Sequence, residues 1–451
     1  MMTETFLARM GLFDARAPRY TSYPTAPHFN GSVTGSDFTN WVRAIPEAGQ
    51  VSLYIHVPFC RRLCWFCACR TQGSQTLSPV AAYVDTLLAE LRLLAAQLPK
   101  GVTLSRLHWG GGTPTLLSPD LIDTLAGAIF DVLPAGPGTE FSVEIDPNEL
   151  DEPRLQALAR AGMNRASIGV QDFDPLIQQT IGREQSYEVT RDAVEMLRGC
   201  DIHSLNADIL YGLPYQNERR ITNSVEQLIA LNPDRVALYG YAHVPWVAKR
   251  QQMIPTDHLP TPVERWQLFN TAEALFTKAG YRGIGIDHFA RPGDGLDLAA
   301  RAGTLHRNFQ GYTDDQSEVL IGLGASSISR FPQGYAQNAP STSAYARAVS
   351  EGQFATTRGH RFSGDDRLRA RVIEALMCYF RVSEEDLNAR FGTSEDGASA
   401  LFAPALEEFG EVLEMHRGDL LITDEGRPLA RLIARSFDAY EMAANGHSLA
   451  I

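Results

Sequence analysis

The stretch Tyr54-Ile55-His56-Val57-Pro58-Phe59-Cys60-Arg61-Arg62-Leu63-Cys64-Trp65-Phe66-Cys67-Ala68-Cys69 places four of the six cysteines of a 451-residue chain within ten positions. The β-rich run Ser52–Val57 predicts a strand, so the thiols lie on the loop that follows it directly. Cys60, Cys64 and Cys67 have the spacing C-x3-C-x2-C, which lets one loop wrap three thiolates around a single metal centre. A structural zinc site usually takes two close pairs of ligands far apart in sequence, a different pattern. A 4Fe-4S cluster normally takes four cysteines, and a three-cysteine loop leaves one iron open to another ligand. Cys69 offers a fourth thiol by composition. Against that, Cys67-Ala68-Cys69 separates neighbouring thiols by one residue, an awkward geometry for two corners of one cube. Zinc held by all four cysteines is the competing reading. Cys200 and Cys378 stand alone in helical patterns and read as packed core.

Outward from the loop, short β-rich runs alternate with longer helical patterns, as in repeated strand-helix units around a parallel sheet. The strand candidates are Ser52–Val57, Leu104–Trp109, Phe141–Ile145, Arg165–Val170, Leu205–Leu210 and Arg235–Tyr239. Ser78-Pro79 and Ser118-Pro119 each predict a capping hydroxyl before a proline at the first helical position. Val84, Leu87, Leu88, Leu91, Ala95 and Leu98 follow the rhythm of one buried helix face. The expected fold is α/β, a full or partial (β/α) barrel over 51–360, preceded by an arm (1–50) that contributes to the active-site cover. A doubly wound open sheet is the alternative, because periodicity does not fix strand order. Residues 361–451 read as short helices, a hairpin of Val412–Met415 and Leu420–Thr423 around His416-Arg417-Gly418-Asp419, and a final helix from about Arg427. That pattern is mostly helical and winged-helix-like.

Charge decides against the function such a module first brings to mind. Lys and Arg number 40 against 53 Asp and Glu, a formal net charge of −13. Residues 361–451 hold 10 Arg, no Lys and 17 acids, giving −7. Neither surface displaces phosphate counterions, so nucleic acid is not an expected partner. The N-terminus has no secretory apolar core, and the most apolar helix, Val80 to Leu98, is interrupted by Asp85, Glu90 and Arg92, so no membrane span is expected. A cytoplasmic protein with reduced thiols is the expectation. The absence of a sustained heptad seam points to a monomer.

Polar residues gather at one predicted rim, the C-terminal ends of the strands, where barrel sites assemble. His108-Trp109-Gly110-Gly111-Gly112-Thr113 ends the second strand, and its glycines let backbone pass close to a ligand and present bare amides. Glu144 ends the third strand, Gln171 follows the fourth and Asp208 lies late in the fifth. Arg183, in a polar helix start, is placed to pair with a carboxylate.

The cysteine loop after the first barrel strand resembles the signature of radical S-adenosylmethionine (SAM) enzymes. Further segments resemble one of their families, the oxygen-independent coproporphyrinogen III oxidases: Pro18-Arg19-Tyr20-Thr21-Ser22-Tyr23-Pro24-Thr25-Ala26, the extra Cys69, Leu210-Tyr211-Gly212-Leu213-Pro214, Gly285-Ile286-Asp287-His288-Phe289-Ala290, His306-Arg307-Asn308-Phe309-Gln310-Gly311-Tyr312-Thr313 and Gly324-Ala325-Ser326-Ser327-Ile328-Ser329. The acidic Asp314-Asp315 that follows is the nearest departure from the pattern. The resemblance implies a 4Fe-4S cluster on Cys60, Cys64 and Cys67, with Cys69 reserved for another duty, catalytic together with Tyr54. It implies two SAM molecules, the first contacted by Tyr54, Gly111, Glu144 and Ile328. The second would be contacted by Phe66, Gly112, Thr113, Gln171, Arg183, Asp208 and Ala242. The implied reaction converts two propionates of coproporphyrinogen III to vinyl groups, giving protoporphyrinogen IX for haem synthesis. An electron donor such as flavodoxin or ferredoxin is the implied partner. Four substrate carboxylates in an acidic protein need local cations, for which Arg19, Arg307 and His288 are candidates, with Tyr20, Asn308 and Gln310 as neutral donors. A haem chaperone or a haem-modifying or haem-degrading relative is the alternative; such chaperones typically lack Cys69 and the Pro-Arg-Tyr-Thr-Ser-Tyr-Pro arm.

Overall fold

The computed structural model describes residues 4–441 and 449–451. Six parallel strands run β1 (Gln50–Val57), β2 (Thr103–Gly111), β3 (Ala135–Ile145), β4 (Arg165–Gln171), β5 (Ser204–Tyr211) and β6 (Arg235–Gly240), one at each predicted position. They pair strictly in chain order. That order excludes the doubly wound alternative, whose strand order must reverse at a switch point. Beyond β6 the sheet adds antiparallel β8 (His288–Ala290) and, outside it, β7 (Arg282–Ile284). Beyond β1 it adds β9 (Leu320–Leu323, parallel to β1), then β10 (Ile328–Phe331), β11 (Gly334–Asn338) and β12 (Thr356–Arg361) in antiparallel order. Its edges, β12 and β7, are different strands that do not pair, so the barrel is partial. The sheet nevertheless curves: Ser52 of β1, His108 of β2, Asp208 of β5, Tyr239 of β6 and His288 of β8 all face one interior cavity of about 90 Å³.

Helices α1 (Ser78–Ala95), α2 (Pro119–Val132), α3 (Glu152–Arg160), α4 (Pro175–Ile181), α5 (Tyr187–Gly199), α6 (Glu218–Ala230) and α7 (Pro262–Lys278) fill the connections. Ser118 caps α2 by accepting from the Leu121 amide at 3.4 Å. Ser78 does not cap α1. It is the first helical residue, with Leu77 at the cap and no side-chain bond there.

The buried face of α1 carries Val80, Val84, Leu87, Leu91 and Leu94, and Glu90 as well, which is 1% exposed. A carboxylate on an apolar face must find donors or neutralise. Glu90 finds three: the Gly324 amide at 2.8 Å, Asn338 Nδ2 at 2.7 Å, and the hydroxyl of Tyr345, on α8 (Thr342–Ser350), at 2.7 Å. Helix, post-β9 turn and β11 are thereby pinned together. Burial still dominates and pushes the Glu90 carboxyl up to about 7.

The C-terminal module comprises α9 (Asp366–Tyr379), α10 (Glu384–Phe391) and α11 (Glu395–Phe409), then the hairpin Leu413–His416 with Asp419–Ile422. Arg417 and Gly418 turn it at φ 52° and 87°, the left-handed pair that matches strand twist. Arg381–Val382 adds a third strand. The last helix starts later than its sequence suggests: Asp424–Leu429, which contains Pro428, forms a 3-10 turn, and α12 covers Ala430–Arg435. The N-terminal arm is tied to this module. Arg431 donates to the Ala17 and Pro18 carbonyls, Tyr20 Oη to Asp438 at 3.0 Å, and the Ala450 amide to the Ala15 carbonyl at 2.9 Å. No helix among the described residues is long and apolar enough to cross a membrane.

Because the folded state raises the Glu90 pKa, its stabilising contribution is complete below about 4.5 and disappears as pH rises through about 7. Denaturant unfolding of wild type and Glu90→Gln should therefore give a stability difference that shifts toward the variant by about 2 to 3 kcal/mol between about pH 5 and about pH 8. A pH-independent difference contradicts this assignment.

Candidate active site

The cysteine loop leaves the C-terminal end of β1 and returns on itself, since Phe59–Cys60 pairs in parallel with Gln72–Gly73. The Trp65 amide donates to the Ile181 carbonyl at 2.9 Å, anchoring the loop to α4. Gln251, in a short 3-10 turn after β6, donates through Nε2 to the carbonyls of Phe66 at 2.7 Å and Ala242 at 3.0 Å. Arg250 beside it donates to the Cys69 carbonyl at 3.2 Å.

Burial pushes the Cys60 thiol up to about 11, against hydrogen bonds with Thr113 and Thr71, and the Cys67 and Cys64 sulfurs push it further. Burial also raises Cys64, opposed by Arg183, whose Nη1 donates to Cys64 Sγ at 3.7 Å. Cys67 is held below the usual thiol range by hydrogen bonds from the Cys69 thiol and amide, the latter at 3.4 Å. Cys69 is solvent-exposed, and its bond to Cys67 raises its own pKa. Among the described residues no three His, Cys, Asp or Glu side chains gather closely enough to share a single ion. The donor set nevertheless fits an iron-sulfur group. Three sulfurs on one loop repel one another as thiolates, with Arg183 as the cation beside Cys64, and cationic iron is the partner that relieves such a set.

The glycines at the end of β2 act by close approach. A Cβ on Gly110 would lie 2.5 Å from Glu144 Oε1, on Gly111 2.4 Å from the His56 ring, and on Gly112 2.5 Å from the Phe59 carbonyl oxygen. Gly111 also has φ 107°. Their amides are not bare, which corrects the sequence reading: Gly111 N donates to Glu144 Oε2 at 3.0 Å and Gly112 N to the Val57 carbonyl at 2.8 Å. Glu144 takes a further bond from His108 Nε2 at 3.3 Å, His108 stacks on Tyr54 at 5.7 Å, and Tyr54 Oη meets His56 Nδ1 at 2.9 Å. Burial would raise Glu144, but His108 and the Gly111 amide outweigh it and keep the carboxylate ionised. Asp208 differs. Burial pushes it up to about 6, with only Asn206 Nδ2 donating to it, at 2.8 Å.

Tyr54, Gly111 and Glu144 thus meet at the tips of β1, β2 and β3, and Ile328 opens β10, two strands beyond β1. Thr113 shares a hydrogen bond with Cys60, Gln171 ends β4 in the left-handed region at φ 68°, and Asp208 faces the interior cavity. Arg183 lies in the link after α4 and not at a helix start. It bridges Cys64, Asp146 Oδ2 at 3.4 Å and the Gly169 carbonyl at 2.9 Å.

Three of the candidate substrate residues are linked, Arg307 and His288 through Asp287, and Arg307 to the Arg19 carbonyl at 3.4 Å. Arg307 is buried and paired with Asp287 at 3.4 Å, over the Tyr312 ring. His288 is not the cation that the sequence suggested: burial lowers its pKa despite the Asp287 bond at 2.7 Å. The Tyr20 hydroxyl is engaged by Asp438, and Asn308 Oδ1 accepts from the Gln310 amide at 2.8 Å. Gln310 lines the interior cavity, and Arg19 donates to the Gly240 carbonyl at the end of β6. His56, His108 and Gln251 carry no role in the sequence reading. Strand alternation was a usable signal for His56, two residues from Tyr54 and on the same face; Gln251 lies in an irregular loop with no periodicity to mark it.

Comparisons with known proteins agree with this geometry. The model of the Radical SAM superfamily matches residues 54–228. The oxygen-independent coproporphyrinogen III oxidase of Paracoccus denitrificans is 61% identical over 451 residues, covering 100% of both chains. That of Escherichia coli is 36% identical over 438 residues, covering 96% of this chain and 95% of the relative. A solved coproporphyrinogen III oxidase from Escherichia coli, described as a radical SAM enzyme, superposes with a TM-score of 0.88 at 36% identity, covering 94% of this chain and 98% of that one. The chain spans its relatives nearly end to end, and it belongs to the oxygen-independent coproporphyrinogen III oxidases of the radical SAM superfamily.

Proposed function

We infer that this chain performs the family reaction, the oxygen-independent oxidative decarboxylation of two propionates of coproporphyrinogen III to vinyl groups, giving protoporphyrinogen IX. The observation that carries the reading is that the loop bearing the three thiols, the glycine turn and an ionised Glu144 adjoin at one barrel rim. Cys60, Cys64 and Cys67 would hold the cluster, with Arg183 offsetting sulfur charge at Cys64. When bound, the cluster and SAM would supply the radical chemistry for hydrogen abstraction at the propionate carbon next to the ring, with carbon dioxide and one electron then lost as each vinyl forms.

The protein's own residues bind and orient. Glu144 is a fixed anion suited to accept from an ammonium group, oriented by His108 and the Gly111 amide. Tyr54, packed between His56 and His108, forms a rigid wall beside it, and Ile328 would close the first SAM site from β10. Phe66, Gly112, Thr113, Gln171, Arg183, Asp208 and Ala242 would border a second SAM. The Gln251 clamp supports that assignment by fixing Phe66 and Ala242 to one side chain. Cys69, exposed and bonded to Cys67, is free for chemistry with Tyr54 at the substrate side. A low-potential donor such as flavodoxin or ferredoxin would supply the electron. Every proposed site residue comes from this chain, so a monomer suffices, and all six cysteines are free thiols, as a reducing cytoplasm would keep them.

Anaerobically reconstituted protein given reductant, SAM and coproporphyrinogen III should yield protoporphyrinogen IX and 5′-deoxyadenosine. SAM cleavage without decarboxylation overturns the oxidase reading, and a colourless zinc protein overturns the cluster. Cys64→Ala should abolish both the brown absorbance and activity. Cys69→Ala should keep most of the absorbance while losing activity; loss of the cluster would make Cys69 a ligand.

A further inference from the structure

A large cavity lies beside the barrel rim. It is about 930 Å³, within the roughly 300–1,000 Å³ of sites that enclose small-molecule ligands. It begins at Tyr211, the end of β5, and Gly240, the end of β6, and runs between α7 and the C-terminal module. One wall is flat and aromatic: Trp266 stacks on Phe269 at 5.8 Å and 13°, and Tyr211 meets Phe269 edge-on at 5.6 Å.

Four arginines line this cavity; Arg427 is paired with Asp424, and the other three come from distant parts of the chain, Arg19 of the arm, Arg265 of α7 and Arg431 of α12. Among the described residues the hydrogen bonds of these three go to main-chain oxygens alone. Arg19 donates to Gly240; Arg265 to Gly212 at 3.4 Å and Ile451 at 3.1 Å; Arg431 to Ala17, Pro18, Leu449 and Ala450. Among the described residues none of the three forms a salt bridge with an acidic side chain. Of the cavity's acids, Asp287 is paired with Arg307 and Asp424 with Arg427 at 2.6 Å, burial moves Glu273 toward its neutral form, and Glu425 is exposed. Burial pushes Arg431 down to about 9 and lowers Arg265, and Arg19 repels both. Asp287 attracts Arg431 but is already paired with Arg307, and converging cations cost free energy unless an anion completes them.

We propose that Arg19, Arg265 and Arg431 form the carboxylate-holding subsite of this cavity, gripping substrate propionates while the aromatic wall receives the face of the tetrapyrrole. The assignment rests on the oxidase reading above. It names the local basic pocket that a tetra-anionic substrate requires in a chain of net charge −13. Guanidinium groups suit it, because their planar donor forks match carboxylates.

Arg265→Gln, reconstituted as holoenzyme with cluster absorbance equal to wild type, should raise the KM for coproporphyrinogen III about tenfold or more, as expected for loss of a charged hydrogen bond, with the KM for SAM unchanged. Arg265→Lys should recover part of the loss. An unchanged coproporphyrinogen KM in Arg265→Gln, with wild type active, overturns the subsite and leaves the oxidase reading intact; inactive wild type overturns the reading itself. If Arg265→Gln does not load its cluster, wild-type holoenzyme decides through its tryptophan fluorescence. Coproporphyrin III should quench it at least tenfold more tightly than the uncharged tetramethyl ester, and equal affinities overturn the proposal.

Discussion

The tips of β1, β2 and β3 approach more closely than side chains allow, and the site depends on that approach. At Gly110, Gly111 and Gly112 the space for a Cβ is already taken by Glu144, by the His56 ring and by the Phe59 carbonyl. Because these three residues stay out of the way, a carboxylate from β3 reaches the β2 backbone, a histidine from β1 lies against it, and the thiol loop is bonded down by the amides of Gly112 and Thr113. The glycines are spacers by omission. Every polar contact at the rim inherits its position from them.

The same rim holds two carboxylates in opposite states. Glu144 has His108, the Gly111 amide and a nearby His56 to stabilise its charge, so burial loses. Asp208 has one neutral amide donor, and burial wins. Neighbours separate two chemically similar acids into one fixed anion and one group that protonates near neutrality, a division of labour achieved without any change of residue type at the shared rim.

The six parallel strands were legible because apolar β-branched runs bounded by turn signals have few other meanings. The sheet's extension beyond β1 was not, since pairing between β9 and β1 joins segments more than 260 residues apart and leaves no local trace. The thiol loop and glycine turn were legible as motifs, but the partners of the glycine amides were not: a sequence shows a missing side chain and not what occupies its space. Glu90 looked like an interruption of an apolar helix and is a junction, because its donors come from Gly324, Asn338 and Tyr345. His288 and Arg307 looked like cations awaiting a ligand. Asp287 engages both, and which charge meets which is settled only in three dimensions. Arg265 and Arg431 sit in ordinary helical contexts and gain meaning only from the cavity they share.

The ties between arm and C-terminal module set an order of assembly. Ala15, Ala17 and Pro18 are held by Ala450 and Arg431, partners more than 400 residues later in the chain. The thiol loop, by contrast, is held by Gln72, Gly112, Thr113 and Ile181 and, latest in the chain, by Arg250 and Gln251. On a ribosome every one of these loop partners is made before Arg431, so the arm is the last of the two segments to find its grip.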